Sequence, residues 1–203
     1  MIKTIIFDFG DVFINLDKEG AIETTKATLN LQEFPEEMLS VNCLYEQGLI
    51  STEEFKDFYF QNFKNISEET LKDAWNYILK DFPEHKLDFL KQLAKDGNYQ
   101  LILLSNTNEL HIDWVKENIS VFEDFKKQFD KFYLSHEIQL RKPDTEIYEF
   151  VLRENNLKPE ECLFVDDLKE NTDAAKSLGI HVWNIDPKTE DVCTLFATHK
   201  HLF

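Results

Sequence analysis

Residues 5–12 read Ile5-Ile6-Phe7-Asp8-Phe9-Gly10-Asp11-Val12, an apolar run that stops at a carboxylate. A run this short, followed closely by Asp and Gly, is a buried strand rather than a buried helix. Similar runs recur at 99–104, 132–134, 162–165 and 180–183, which makes five predicted strands. Between the last four lie helical stretches: 107–118 with more polar helix after it, then 145–155, then 171–178 closed by Gly179 as the C′ residue. Strand alternating with helix predicts an α/β fold whose parallel sheet is covered on both faces.

The interval 17–83 breaks the alternation and reads as helices only. Pro35 opens one helix, with Met38, Val41, Leu44 and Tyr45 on a face and Gly48 after it. Ser51 and Glu54 have capping-box spacing ahead of Phe55, Phe58 and Tyr59. Leu71, Ala74, Trp75, Ile78 and Leu79 follow the spacing of an amphipathic stripe. A helix bearing Leu87, Leu90, Leu93 and Ala94, closed by Gly97, returns the chain to the sheet. The expectation is a core of residues 1–16 and 84–203 with an inserted all-helical unit at 17–83.

Composition narrows the function classes. The chain has 203 residues, room for one core and a smaller insert. Its net charge of −17, from 39 acidic against 22 basic side chains, argues against a nucleic-acid partner, which needs a concentrated basic face. No apolar run approaches the ~20 residues of a membrane span, and no secretory pattern opens the chain, so the expected location is cytoplasmic and no membrane partner is expected. Cys43, Cys162 and Cys193 are widely spaced and form no C-x-x-C pair, which reads as reduced, structural thiols. The acidity has a consequence: an anionic substrate would need a local cation.

Four strands end in polar residues of distinct types: Asp8, then Ser105-Asn106, then Lys142 in the loop after the third, then Asp166-Asp167. In an open α/β sheet those ends converge on one ligand crevice. Each residue alone is an ordinary loop residue; the combination supports a specific chemistry. Asp8 and Asp167 would repel unless a cation lay between them, and carboxylates with waters suit Mg²⁺. An Asp beside Mg²⁺ can attack phosphorus in line. Ser105, the Asn106 N–H and the Lys142 ammonium would hold the non-bridging oxygens.

These segments, together with Arg141-Lys142-Pro143-Asp144 and Phe164-Val165-Asp166-Asp167 followed by Asn171, resemble in order the four motifs of the haloacid dehalogenase-like hydrolase superfamily. The helical insert resembles its C1-type cap. The resemblance spans nearly the whole chain and implies a Rossmann-like sheet of order 5-4-1-2-3. It implies Asp8 as nucleophile and metal ligand, the Gly10 backbone carbonyl and Asp167 as further Mg²⁺ ligands, and Ser105 and Lys142 as phosphoryl binders. Asp166 and Asn171 fall behind that first set. The implied substrate is a small phosphorylated metabolite. An Asp-x-Gly start with a Tyr-x-x-Gly turn at Tyr45 to Gly48 is similar to the sugar-phosphate phosphatase subgroup.

One position departs from the phosphatase pattern. Where an aspartate normally protonates the leaving alkoxide, this chain has Gly10, which cannot move a proton; general acid–base help is worth roughly 10²–10⁴-fold. Asp11 is the neighbouring acid and its alternative reading is a turn residue bonding its own backbone. The missing acid also leaves open 2-haloacid dehalogenation, a phosphomutase, and a non-catalytic phosphate- or metal-binding protein. Specificity candidates in or near the insert are Phe13, Asn15, Glu46, Trp75, Asn76 and His111, each with ordinary packing or exposure as its competing reading. Oligomeric state is not legible.

Overall fold

The structure, a computed structural model, describes residues 1–203. In chain order its elements are β1 (Thr4–Phe7), α1 (Lys18–Leu29), α2 (Glu36–Glu46), α3 (Thr52–Asn62), α4 (Glu68–Asn76), α5 (Glu84–Asp96), β2 (Gln100–Ser105), α6 (Glu109–Asn118), α7 (Phe122–Lys126), β3 (Lys131–Leu134), α8 (Ser135–Ile138), α9 (Thr145–Glu154), β4 (Cys162–Asp166), α10 (Lys169–Ser177), β5 (His181–Asn184) and α11 (Leu195–Thr198). All five strands pair in parallel in the order β3-β2-β1-β4-β5, the expected 5-4-1-2-3 read from the other edge. No helix is long and apolar enough to cross a membrane.

Strand periodicity divides the core into two layers. Ile5 and Phe7, Leu101 and Leu103, and Leu163 and Val165 point to one face, where the rings of Phe9, Phe13, Phe82, Phe122 and Phe125 meet. Ile6, Ile102, Leu104, Cys162 and Phe164 alternate onto the other, under α9 and α10. Both faces of every central strand are therefore buried, which is why these strands are continuously apolar rather than alternating in polarity. Phe13 belongs to the first layer and is wholly buried, so it cannot select a substrate.

Helices α1 to α4 hold a separate apolar cluster of Leu29, Met38, Tyr45, Phe55, Tyr59 and Leu71, joined by Leu110 from α6. The Ser51–Glu54 capping box forms as expected, Pro35 precedes α2, and Gly97 closes α5 in the left-handed region. Two expectations from periodicity fail here. Leu44 is exposed rather than packed. The stripe continued through Ile78 and Leu79 stops at Asn76, because Tyr77 and Ile78 form a turn, closed by Leu79 N–H on Asn76 O, and Leu79 begins the return segment. That segment pairs antiparallel with the outgoing chain: Asp17 N–H donates to Ile78 O at 2.9 Å, Lys80 N–H to Asn15 O at 3.0 Å, and Asn15 N–H to Asp81 O at 3.0 Å. The chain leaves and re-enters the sheet unit through this one short ladder.

Candidate active site

Parallel pairing sets the site. The register aligns Phe7 with Leu103 on one side and Val165 on the other, and Asp8 N–H continues the ladder to Val165 O at 2.9 Å. Asp8 thus emerges beside Asp166 and Asp167, at the point where chain order reverses between β1 and β4 and where open α/β sheets bind ligands. One carboxylate oxygen from each of these three aspartates lies within 4.8 Å of the others. A cleft of about 180 Å³ opens over them, lined among others by Asp8, Gly10, Ser105, Asn106, Lys142 and Asp167.

Lys142 is the cation of this cluster, and it is 1% exposed. Its Nζ lies 2.8 Å from Asp8 Oδ1, 2.7 Å from Asp166 Oδ2 and 2.9 Å from Leu104 O. Burial works against its charge, but Asp166 and Asp8 more than offset that and hold its pKa above the ordinary value. Asn106 fixes the loop that delivers it: Asn106 Nδ2 donates to Lys142 O at 2.8 Å and Lys142 N–H donates to Asn106 Oδ1 at 2.9 Å. The Asn106 side chain is thereby used up as a support. The Ser105 hydroxyl has only a long 3.5 Å contact to Asn106 O.

The two motif-four acids are not equivalent. Asp166 accepts from Leu168 N–H at 2.8 Å and from Asn171 Nδ2 at 3.0 Å on both oxygens, in addition to Lys142. Its lone pairs are occupied and it is fully buried, so it acts as an anchor for Lys142 and Asn171. Asp8 is different. Burial pushes its carboxyl up to about 7 against the pull of Lys142, with Asp166 and Asp167 adding to the rise. Asp8 Oδ1 is buried and, although Lys142 is near in distance, receives no well-directed hydrogen bond. Asp167 is also raised, mainly by burial, with Lys18 pulling it down.

Lys18, at the start of α1, was invisible in the sequence. Its Nζ sits 2.5 Å from Asp167 Oδ2 and 2.8 Å from Asp11 Oδ2, so the first turn of the helical insert reaches the acidic cluster. Asp11 is in the left-handed region at φ 55° and accepts Leu16 N–H on its other oxygen at 3.0 Å. It is the backbone-bonding turn residue of the two readings given above. Leu16 also covers Gly10: a Cβ placed there would stand 2.8 Å from Leu16 Cδ1.

The remaining specificity candidates separate by geometry. Glu46, at the end of α2, bonds Arg141 at 2.9 Å and both line the cleft, joining the insert to the Lys142 loop. His111 lines it too, but its Nε2 faces Trp75 O at 3.1 Å, its Nδ1 faces Asn108 Nδ2 at 3.2 Å, and its ring stacks on Trp75. Burial drops its pKa to about 4, so it is a neutral packing residue. Trp75 Nε1 donates to Asn108 Oδ1 at 3.1 Å and its ring contacts Phe55. Asn15 pairs with Asp81, outside the cleft. Asn76 is half-buried with its Oδ1 unpartnered, and it does not line the cleft.

Comparison with known proteins agrees with this fold. A family model described as haloacid dehalogenase-like hydrolase matches residues 5–185. The chain is similar to D-ribitol-5-phosphate phosphatase of Bacteroides thetaiotaomicron, with 31% identity over 192 residues, 90% of this chain and 91% of that protein. Among solved structures it is similar to a HAD family enzyme of the same organism in its magnesium complex, with a TM-score of 0.85, 36% identity, and coverage of 96% of this chain and 98% of that one. The complex of that enzyme with magnesium and inorganic phosphate aligns at a TM-score of 0.83 and 35% identity, covering 97% of this chain and 100% of that one.

Proposed function

We infer the activity from one premise: the chain belongs to the haloacid dehalogenase-like hydrolase family. On that premise it is a Mg²⁺-dependent phosphatase of small phosphate monoesters, sugar and polyol phosphates among them, with Asp8 as nucleophile. The observation that carries this reading is the grouping of Asp8, Asp167 and the buried Lys142 at the chain-order reversal of the sheet.

The residues fit a divalent cation. Their donors are hard carboxylate oxygens, and an Asp8 oxygen is buried without a directed partner. Asp8, Asp167 and the Gly10 carbonyl would hold the ion, with Asp166 and Asn171 behind them. Bound there, Mg²⁺ supplies positive charge for the phosphoryl oxygens and keeps Asp8 ionised despite its burial.

The protein's own groups do the rest. The Asp8 carboxylate attacks phosphorus in line with the departing alkoxide, forming an aspartyl-phosphate that water then hydrolyses. Lys142, fixed by Asn106 and Asp166, holds non-bridging oxygens together with the Ser105 hydroxyl and the Asn106 N–H, where charge must be carried through the transition state. No side chain in the cleft is free to protonate the alkoxide. Asp11 is committed to Leu16 and Lys18, and His111 is neutral with both nitrogens occupied. Turnover should therefore depend steeply on leaving-group basicity. Helices α1 to α4 act as the cap, and Glu46 and Arg141 tie it to the substrate loop.

The test is a panel of phosphorylated metabolites and of 2-haloacids with Mg²⁺, with and without EDTA, against Asp8→Asn. Phosphate release that EDTA and Asp8→Asn both abolish is the expected result. Halide release in EDTA would replace the phosphatase with a dehalogenase, and interconversion of sugar bisphosphates without net phosphate release would replace it with a mutase.

A further inference from the structure

The cleft does not contain every metal-ligating cluster in the molecule. At the opposite end of α5 from Gly97, His85 in the first helical turn meets Asp191, which caps a 3-10 turn at Val192–Thr194, and Cys193 within that turn. One ligand atom from each of the three lies within 4.8 Å of the others, and none of these residues lines the Asp8 cleft.

We propose that His85, Asp191 and Cys193 form a second cation site, selective for a borderline transition-metal ion of the Zn²⁺ class. An imidazole nitrogen, a carboxylate oxygen and a sulfur are the donors such an ion takes, with three protein ligands leaving a fourth position for water. Mg²⁺ demands oxygen donors, so the two sites sort the two kinds of ion. The donors are already arranged: His85 Nε2 stands 2.8 Å from Asp191 Oδ2, and Asp191 Oδ1 accepts Cys193 N–H at 2.8 Å, which fixes the loop. The sulfur points the same way, with Sγ 3.7 Å from the His85 carbonyl oxygen. Cys193 is only half-buried and His85 is exposed, so an ion can reach them.

Binding forms a metal–sulfur bond from a thiol lone pair while the S–H proton passes to solvent, and no oxidation state changes. In the free protein burial and the Asp191 charge push the Cys193 thiol up to about 12, while nearby Lys86 pulls it down. The bound ion would pin the C-terminal segment, whose Val192 and Leu195 are core residues, to the start of α5.

Co²⁺ titrated into the 203-residue chain in excess Mg²⁺, which keeps oxygen-donor sites filled, reads the sulfur directly through thiolate-to-cobalt charge transfer. One equivalent of that band is expected in the native chain and in Cys43→Ser. It should vanish in Cys193→Ser and need at least tenfold more Co²⁺ in His85→Ala, an exposed position that does not threaten folding. Absence of the band, its persistence in Cys193→Ser, or indifference to His85→Ala would each overturn the proposal.

Discussion

Asp11 shows how one residue can carry a catalytic residue's neighbourhood without its role. Its carboxylate is spent on Leu16 N–H and Lys18, so Asp11→Asn should leave turnover unchanged at every pH, while Asp11→Ala should lose about 1–2 kcal/mol of stability. A pH–rate profile and denaturant melts check the two halves; loss of the acidic or basic limb in Asp11→Asn would return Asp11 to the chemistry. His111 gives a pH-dependent stability of known sign. Its folded pKa of about 4 lies below the unfolded value near 6.5, so its contribution is complete above about pH 6.5 and is lost as pH falls through 4. Across that window the native protein should lose roughly 3 kcal/mol relative to His111→Gln, read from urea midpoints at each pH. Equal slopes for the two proteins would show that the imidazole charges freely in the fold. The motif residues were legible because strand ends and residue types suffice to mark them. Lys18 was not: its partners Asp11 and Asp167 are brought to it by folding, and nothing local distinguishes it from other helix-start lysines.

At the scale of elements, α2 docks closely on α8, the insert on the sheet unit. Gly48 has φ +66° and a Cβ there would fall 2.0 Å from the His136 carbonyl oxygen, while Ser135 Oγ donates to Glu46 O at 2.5 Å. Gly48→Ala should cost roughly 3 kcal/mol and raise KM more than it lowers kcat, because Glu46 would lose its hold on Arg141. Gly97→Ala is the control: φ is +64°, but nothing lies within 4 Å, so about 1 kcal/mol is expected. Equal costs would mean that the α2 turn is not closely docked. Sequence periodicity found the helices of the insert and the capping box at Ser51, because both are local. It overran α4 into Ile78 and Leu79, since apolar residues in a turn and the return segment after it can continue a helical spacing by coincidence.

For the whole molecule, charge decides how substrate arrives. The side-chain cations of the cleft are each compensated, Lys142 by Asp8 and Asp166, Lys18 by Asp11 and Asp167, and Arg141 by Glu46, and a bound Mg²⁺ would only offset the two carboxylates left in excess. The field met by an approaching phosphate is therefore that of the net −17, and kcat/KM for a dianionic ester should rise as ionic strength increases from about 0.01 to 0.15 M. A fall would show that the cleft itself presents a positive mouth. The α/β architecture was legible at this scale because buried parallel strands are short, apolar and evenly interrupted by helix; the strand order was legible only through the resemblance to the haloacid dehalogenase-like family.

The ladder joining 15–17 to 78–81 brings the two ends of the insert side by side. Because Asp17 and Ile78 are hydrogen-bonded neighbours, a short turn linking them would close the gap without pulling on β1 or α5. Such a trimmed chain would leave Leu110 and the His136 carbonyl uncovered, and a foreign lid grafted at the same doorway would have to cover both.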